Sequence, residues 1–152
     1  MATKVAERAL LYTNILLAAT DEGRSEHARA RAILAEWPAA GTVLYTSGQI
    51  LREYLCVATR PVSRNGLGMK QSDAISNVRA LQGRLSLLDE GPKVTARLLQ
   101  LLDTVLCSGK HVHDANVVAT MLVHGVDTLA TINVSDFERF ADHVTIVEVG
   151  PT

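Results

Sequence analysis

The chain has 152 residues, of which 47% are hydrophobic and 20% are charged, and its formal net charge is −1 at pH 7. This length and apolar content fit one domain with a buried core and exclude a disordered chain. The near-neutral charge excludes a strongly basic field, so any contact with nucleic acid depends on a local patch. We therefore expect a single domain that spans residues 1–152.

The location expected from the sequence is the cytoplasm. Cys56 and Cys107 lack the spacing of a metal site and lie in apolar helical contexts, which predicts buried, reduced thiols. No apolar run approaches the roughly 20 residues that a membrane-spanning helix needs. The N-terminal residues also lack the apolar run of a secretory signal.

Short apolar runs alternate with helical patterns along the chain, starting with an apolar strand that leads into an apolar helix. This alternation is typical of a parallel sheet covered by helices on both faces. The predicted strands occupy residues 9–12, 42–45, 85–88, 128–131 and 145–149. We therefore predict an α/β fold with a central parallel sheet of about five short strands.

The predicted helices between these strands have recognisable first turns. Ser25, Ser47 and Ser72 are each placed to cap a helix, and Pro92 suits the first turn of another. Residues 114–123 are apolar nearly all round, which predicts a helix packed within the fold.

Two carboxylates lie on apolar helical stripes, where burying a bare charge costs several kcal/mol. Glu53 shares a stripe with Ile50 and Val57, and it is either a site residue, an ion pair with an arginine, or an edge residue with its head group in water. Asp114 aligns with Val117 on the buried helix. Asp114 is either a site residue or an acid in the first turn of the helix that is stabilised by the helix dipole.

A third polar corner follows the fourth predicted strand, in the segment Thr131-Ile132-Asn133-Val134-Ser135-Asp136-Phe137. Asn133 or Ser135 can cap a short turn here. Asp136 is either a solvated turn residue or a member of a site, because ligands gather at the carboxyl ends of parallel strands in open α/β sheets.

Four motifs in this order resemble the PIN domain, and within it the VapC-type toxins of bacterial toxin–antitoxin pairs. The resemblance extends from about residue 9 to residue 147. The motifs are Tyr12-Thr13-Asn14-Ile15-Leu16, Gln49-Ile50-Leu51-Arg52-Glu53-Tyr54, His113-Asp114-Ala115 and the segment from Thr131 to Phe137.

The resemblance implies a three-layer α/β/α PIN-like fold and hydrolysis of RNA phosphodiester bonds with Mg²⁺ or Mn²⁺. The catalytic residues that it implies are Glu53, Asp114, Asp136 and Asn133. Glu53, Asp114 and Asp136 would bind the metal, with Asn133 as the alternative to Asp136 in completing the site. Hydroxyl and amide groups that support these ligands would come from Thr13, Asn14 and Thr131.

The sequence departs from this pattern at Tyr12, where the resemblance implies an aspartate. A neutral phenol with a pKa of about 10 is a poor ligand for Mg²⁺ and supplies no negative charge. Glu7, Asp21 and Glu22 are not placed to substitute for the aspartate. We therefore expect weak or absent metal binding and a severe loss of turnover. The alternative is a catalytically inactive PIN module that binds antitoxin, RNA or a partner subunit.

The partners that the resemblance implies are an RNA substrate, a cognate VapB-like antitoxin and a second copy of the chain in a homodimer, with no membrane. Candidate contacts to the RNA backbone, or else solvated surface charges, are Arg52, Arg60, Arg64 and Lys110. A receiver-like signalling domain is a third interpretation. It requires a phosphoacceptor aspartate at the end of a middle strand and a lysine late in the chain, and neither is visible.

Overall fold

A computed structural model describes residues 5–151 of the chain. Its strands are β1 (Arg8–Leu11), β2 (Val43–Ser47), β3 (Ser86–Leu88), β4 (Thr128–Thr131) and β5 (Thr145–Glu148). They form one sheet in the order β3-β2-β1-β4-β5, and every neighbouring pair is parallel. The predicted parallel sheet of five short strands is confirmed.

The helices of the described residues cover both faces of this sheet. They are α1 (Thr13–Thr20), α2 (His27–Ala39), α3 (Gly48–Thr59), α4 (Gln71–Gln82), α5 (Pro92–Thr104) and α6 (His111–His124). From β1 to β3 the chain moves toward one edge of the sheet, and from β3 to β4 it crosses back toward the other. Right-handed crossovers therefore place α1–α4 on one face and α5 with α6 on the other. The contacts of α1 with α2 and α3, of α3 with α4, and of α5 with α6 agree with this arrangement, which confirms the three-layer α/β/α prediction.

Two of the predicted helix starts are confirmed. The hydroxyl of Ser47 accepts a hydrogen bond from the amide of Ile50 at 3.3 Å, so Ser47 caps α3 as the sequence predicts. Pro92 is the first residue of α5, where its missing N–H group leaves no helical hydrogen bond unmade.

Two other predicted helix starts are wrong. The N-cap residue of α2 is Glu26 instead of Ser25, because two turns precede the helix. The carbonyls of Asp21 and Arg24 accept hydrogen bonds from the amides three residues on, at 3.2 and 3.1 Å, and α2 begins only at His27. Ser72 is the second residue of α4 and therefore lies inside the helix.

The core lies on both sides of the central strands β1 and β4, whose residues Leu10, Leu11 and Leu129 are fully buried. The predicted burial of the cysteines is wrong: Cys56 is exposed and Cys107 is half-buried, and both are free thiols. Cys56 shares an exposed stripe of α3 with other outward-facing residues, because helical spacing places positions 52, 56 and 59 on one face. In the described part of the chain, no helix is long and apolar enough to cross a membrane.

Candidate active site

Tyr12 occupies the corner between β1 and α1, at the carboxyl edge of the sheet. Its backbone amide donates to the carbonyl of Ala130 at 3.0 Å and so extends the pairing of β1 with β4. Its phenol donates to Oδ1 of Asp114 at 3.0 Å. The ring packs edge-on against the fully buried Phe137, with centroids 4.8 Å apart. The Tyr12 side chain is thus held by both its hydroxyl and its ring.

Asp114 lies in the first turn of α6, and its side chain is directed into the protein. The residue is 6% exposed, and its second oxygen, Oδ2, lies 3.2 Å from Nδ1 of His111. Burial raises the pKa of the Asp114 carboxyl above 3.8, while the hydrogen bonds from Tyr12 and His111 act in the opposite direction. Both oxygens of this predicted metal ligand are therefore engaged by protein groups.

The phenol of Tyr12 remains protonated at neutral pH. Burial raises the pKa of Tyr12 above its ordinary value of 10.0, and the negative charges of Asp114, Glu53 and Asp136 raise it further. A phenolate here would be desolvated and repelled by these carboxylates. Of the three predicted metal-binding carboxylates, Asp114 contacts the phenol directly, and the charges of Glu53 and Asp136 also act on it.

Glu53 is half-buried on α3 and is bound by neutral donors. The hydroxyl of Thr13 donates to Oε2 of Glu53 at 2.8 Å, and Nε2 of Gln49 donates to Oε1 at 2.9 Å. Within residues 5–151, Glu53 forms no ion pair, so the interpretation as an arginine pair is wrong. Thr13 contacts one of the predicted ligands, and its supporting role stays a prediction.

A second set of hydrogen bonds next to Glu53 was not predicted from the sequence. Nε2 of Gln49 also donates to the carbonyl of His113 at 3.0 Å, and Oε1 of Gln49 accepts from Nδ2 of Asn116 at 2.7 Å. Asn116 donates in addition to Glu90 at 3.0 Å, and the other oxygen of Glu90 accepts from the backbone amide of Gln49 at 2.8 Å. The placement of Glu90 two residues after β3, at the same sheet edge as Glu53, is the signal that could have identified it.

Asn14 and Thr131 connect α1 to the end of β4. Nδ2 of Asn14 donates to the hydroxyl of Thr131 at 3.1 Å, and Oδ1 of Asn14 accepts from the amide of Ile132 at 3.2 Å. The hydroxyl of Thr131 also accepts from the amide of Asn133 at 3.2 Å. These bonds determine the path of the chain as it leaves the sheet toward Asp136.

Asn133 and Asp136 bind each other at the exposed side of this edge. Nδ2 of Asn133 donates to Oδ2 of Asp136 at 2.9 Å, and the hydroxyl of Ser135 donates to Oδ1 of Asn133 at 2.7 Å. Asn133 is the N-cap residue of the short turn at Val134–Asp136, but its side chain makes no capping hydrogen bond, and Ser135 lies within the turn. Asn133 therefore serves as a hydrogen-bond partner of Asp136 in this arrangement.

The arrangement of these side chains does not fit a resident divalent cation. Among the described residues, no group of three or more His, Cys, Asp or Glu side chains could hold a metal ion. Each of Glu53, Asp114 and Asp136 accepts a hydrogen bond from a protein donor. Mg²⁺ requires several oxygen ligands in octahedral geometry, and the neutral phenol of Tyr12 lies among these carboxylates instead.

No protein-family model matches the chain, and no curated protein sequence matches it. Solved structures do match. The matched chain in the crystal structure of VapBC2 from Rickettsia felis bound to a promoter DNA fragment is 19% identical, with a TM-score of 0.67 and coverage of 93% of this chain and 98% of that one. A toxin–antitoxin complex from Klebsiella pneumoniae is 22% identical, with a TM-score of 0.65 and coverage of 95% and 99%.

A third similar structure is that of VapC20 from Mycobacterium tuberculosis, a toxin that cleaves the sarcin–ricin loop. It is 15% identical, with a TM-score of 0.66, and the match covers 90% of this chain and 96% of that one. At these identities the similarity concerns the backbone and its topology, and it extends over nearly the whole length of both chains. The chain therefore has the VapC-type PIN fold.

Proposed function

We propose that this protein is the toxin-type subunit of a toxin–antitoxin pair whose metal-dependent ribonuclease centre is closed by Tyr12, and that it acts by binding. The observation that carries this proposal is the hydrogen bond of 3.0 Å from the Tyr12 phenol to Asp114. It joins the residue that replaces the expected aspartate to one of the remaining carboxylates. By "closed" we mean that a neutral aromatic side chain lies among the carboxylates that the resemblance assigns to the metal.

The chemistry of the corner supports this proposal. Replacing a carboxylate by a phenol removes one negative charge, and the raised pKa of Tyr12 keeps the phenol neutral. The edge-on packing against Phe137 fixes the ring in place, so that movement away from Asp114 would cost packing energy. A site for Mg²⁺ or Mn²⁺ would therefore have to displace a half-buried, hydrogen-bonded side chain.

The proposed partner is a VapB-like antitoxin, bound in the cytoplasm by a homodimer of this chain. Support comes from the similar solved structures, which include VapBC2 and a toxin–antitoxin complex. A closed subunit of this kind would retain the surface that binds an antitoxin without the ability to cleave RNA. It would then compete with an active toxin for the same antitoxin.

A second candidate function is a weakened, Mg²⁺- or Mn²⁺-dependent endoribonuclease. The observation that favours it is that the other carboxylates assigned to the site by the resemblance are present near Tyr12: Asp114 contacts its phenol, and Glu53 contacts the adjacent residue Thr13. Asn133 also remains beside Asp136. In this case the protein would bind RNA as a substrate and hydrolyse it slowly.

The two candidates are separated by reverting position 12. We would incubate structured RNA and Mn²⁺ with the wild-type protein, with Tyr12→Asp and with Tyr12→Asp/Asp114→Asn, and measure Mn²⁺ binding by calorimetry in parallel. We expect no cleavage by the wild type, and a gain on the order of 100-fold or more over background in Tyr12→Asp, because groups that act as a unit lose most of the rate when one is missing. The double variant serves as the control and should return to background.

If the wild type cleaves the RNA, the single variant Asp114→Asn is tested as well; cleavage that is lost in this variant would show that the centre is not closed and would favour the weakened enzyme. If Tyr12→Asp binds no Mn²⁺ and cleaves nothing, the assignment of this edge as a former metal centre is wrong. Binding of Mn²⁺ without cleavage would place the defect in RNA binding instead of in the metal site.

A further inference from the structure

A cavity of about 250 Å³ lies between α1, α2 and α4, away from the Tyr12 corner. Thr20, at the end of α1, lines it, and Thr13 at the other end of α1 contacts Glu53. Seven residues of α-helix separate these positions by about 10 Å at 1.5 Å per residue. The cavity is therefore a separate feature from the candidate active site. Its other lining residues include Arg31, Leu34, Asn77, Leu81 and Arg84.

Two arginines line this cavity without an acidic partner. Arg31 belongs to α2 and Arg84 follows the end of α4, and both residues are exposed to solvent on one side while they line the cavity on the other. Within residues 5–151, neither guanidinium forms an ion pair, and neither has a side-chain hydrogen bond. Because both guanidinium groups line the same cavity, an anion bound there would be attracted by two positive charges. Each guanidinium can also bind an oxyanion through two parallel N–H groups.

The wall between α1 and α4 is held in place by a buried hydroxyl. Tyr54 is fully buried, and its Oη lies 2.7 Å from the hydroxyl of Thr20 and accepts from Nδ2 of Asn77 at 3.0 Å. Thr20 in turn donates to the carbonyl of Leu16 at 3.0 Å. Nδ2 of Asn77 donates to Tyr54, and among residues 5–151 no donor contacts Oδ1 of Asn77, so this oxygen can accept a hydrogen bond from a ligand.

We propose that this cavity binds a small phosphate monoester or inorganic phosphate through Arg31 and Arg84. A phosphate monoester carries a charge of about −1.5 to −2 near neutral pH, which matches two guanidinium groups, whereas a single carboxylate would neutralise only one. The volume of about 250 Å³ lies below the range of roughly 300–1,000 Å³ that is usual for drug-sized ligands. Leu34 and Leu81 provide apolar walls for a short carbon body, and Asn77 can accept from a ligand hydroxyl.

The test is a calorimetric titration of the whole chain with inorganic phosphate and with glycerol phosphate, at constant ionic strength. We expect saturable binding that weakens roughly tenfold or more in Arg31→Gln and in Arg84→Gln, since hydrogen bonds to charged groups are among the stronger ones. The matched controls are Arg29→Gln on α2 and Arg79→Gln on α4, exposed arginines outside this lining, which should bind like the wild type. Equal unfolding midpoints for all four variants would show that the fold is retained.

The proposal is overturned if phosphate gives no saturable heat, or if the control variants lose as much affinity as Arg31→Gln and Arg84→Gln. Acetate that binds as tightly as phosphate would also overturn it, because the choice of a dianion would then be wrong. A further arm uses a short RNA with and without a terminal phosphate. Binding of the RNA alone, with no response to either small phosphate, would assign the arginines to a macromolecule and contradict the proposed ligand class.

Discussion

Asp114 and Glu53 are two carboxylates at the same sheet edge, and their surroundings differ. Glu53 is half-buried and accepts one hydrogen bond on each oxygen from the neutral donors Thr13 and Gln49. Asp114 is 6% exposed and is bound by the phenol of Tyr12 next to an imidazole. The first carboxylate belongs to a hydrogen-bond network between helices, whereas the second faces an aromatic side chain that fills its corner.

The side-chain contacts of Tyr12 lie on one half of the edge. On the Asp114 side, the phenol, the carboxylate and the ring of Phe137 form one packed unit. On the other side, Glu53 accepts hydrogen bonds from the neutral side chains of Thr13 and Gln49. Because Tyr12 and Glu53 have different contacts, the two halves of the edge should respond separately to mutation.

The largest expected effect comes from removing the aromatic support on the Asp114 side. Phe137→Ala deletes a fully buried ring that contacts Tyr12 and should lower the free energy of unfolding by about 3–5 kcal/mol. Urea unfolding followed by circular dichroism measures this loss. A loss below about 1 kcal/mol would mean that the Tyr12 ring does not depend on this packing.

Gln49→Leu breaks the network on the Glu53 side. It leaves the carbonyl of His113 and Oε1 of Glu53 without a partner and removes one of the two acceptors of the Asn116 amide, so we expect a loss of about 3 kcal/mol in the free energy of unfolding. Gln82→Leu, at an exposed position of α4, is the control and should change stability by about 0.5 kcal/mol or less. Equal unfolding curves for Gln49→Leu and the wild type would show that the network does not contribute to stability.

A matched pair compares the two carboxylates directly. Tyr12→Phe removes the donor to Asp114 and keeps the ring, and Thr13→Val removes the donor to Glu53 and keeps the shape. Each should lower the free energy of unfolding by about 1–2 kcal/mol, because a hydrogen bond to a charged acceptor is lost. Tyr12→Phe should not create Mn²⁺-dependent cleavage, since it adds no carboxylate. If the free energy of unfolding falls in Tyr12→Phe and stays unchanged in Thr13→Val, only Asp114 depends on its donor and the expectation for Glu53 is wrong.

The smallest expected effect is a pH dependence that belongs to Asp114. Its folded pKa is raised above 3.8, chiefly by burial, so the folded state binds its proton more tightly than the unfolded state does. Its contribution to stability is therefore fully present below pH 3.8 and is lost as the pH rises through the folded pKa. Asp114→Asn should remove this slope. Urea midpoints of both proteins, from below that pH to neutral, test it, and parallel curves would contradict it.

The sequence by itself determined the elements and the edge at which they meet. Alternating apolar runs predicted five parallel strands, and parallel strands bring their carboxyl ends together, so Tyr12, Asp136 and Thr131 could be placed at one edge. The helical spacing of Glu53 with the apolar residue Ile50 predicted that this carboxylate lies on the inward face of its helix. Helix starts were less predictable, because turns at Asp21 and Arg24 precede α2 and the helix begins only at His27.

Only the tertiary structure decided which side chains meet at that edge. The Tyr12–Asp114 hydrogen bond joins residues 102 positions apart, and the bond from Asn116 to Gln49 joins residues 67 positions apart. Glu90 likewise enters the network through contacts between elements that are distant in sequence. Periodicity records which face of an element is buried, but the partner of a buried polar group depends on how helices and strands pack. That packing is why the sequence could identify Tyr12 as a departure while its bond to Asp114 emerged only from the fold.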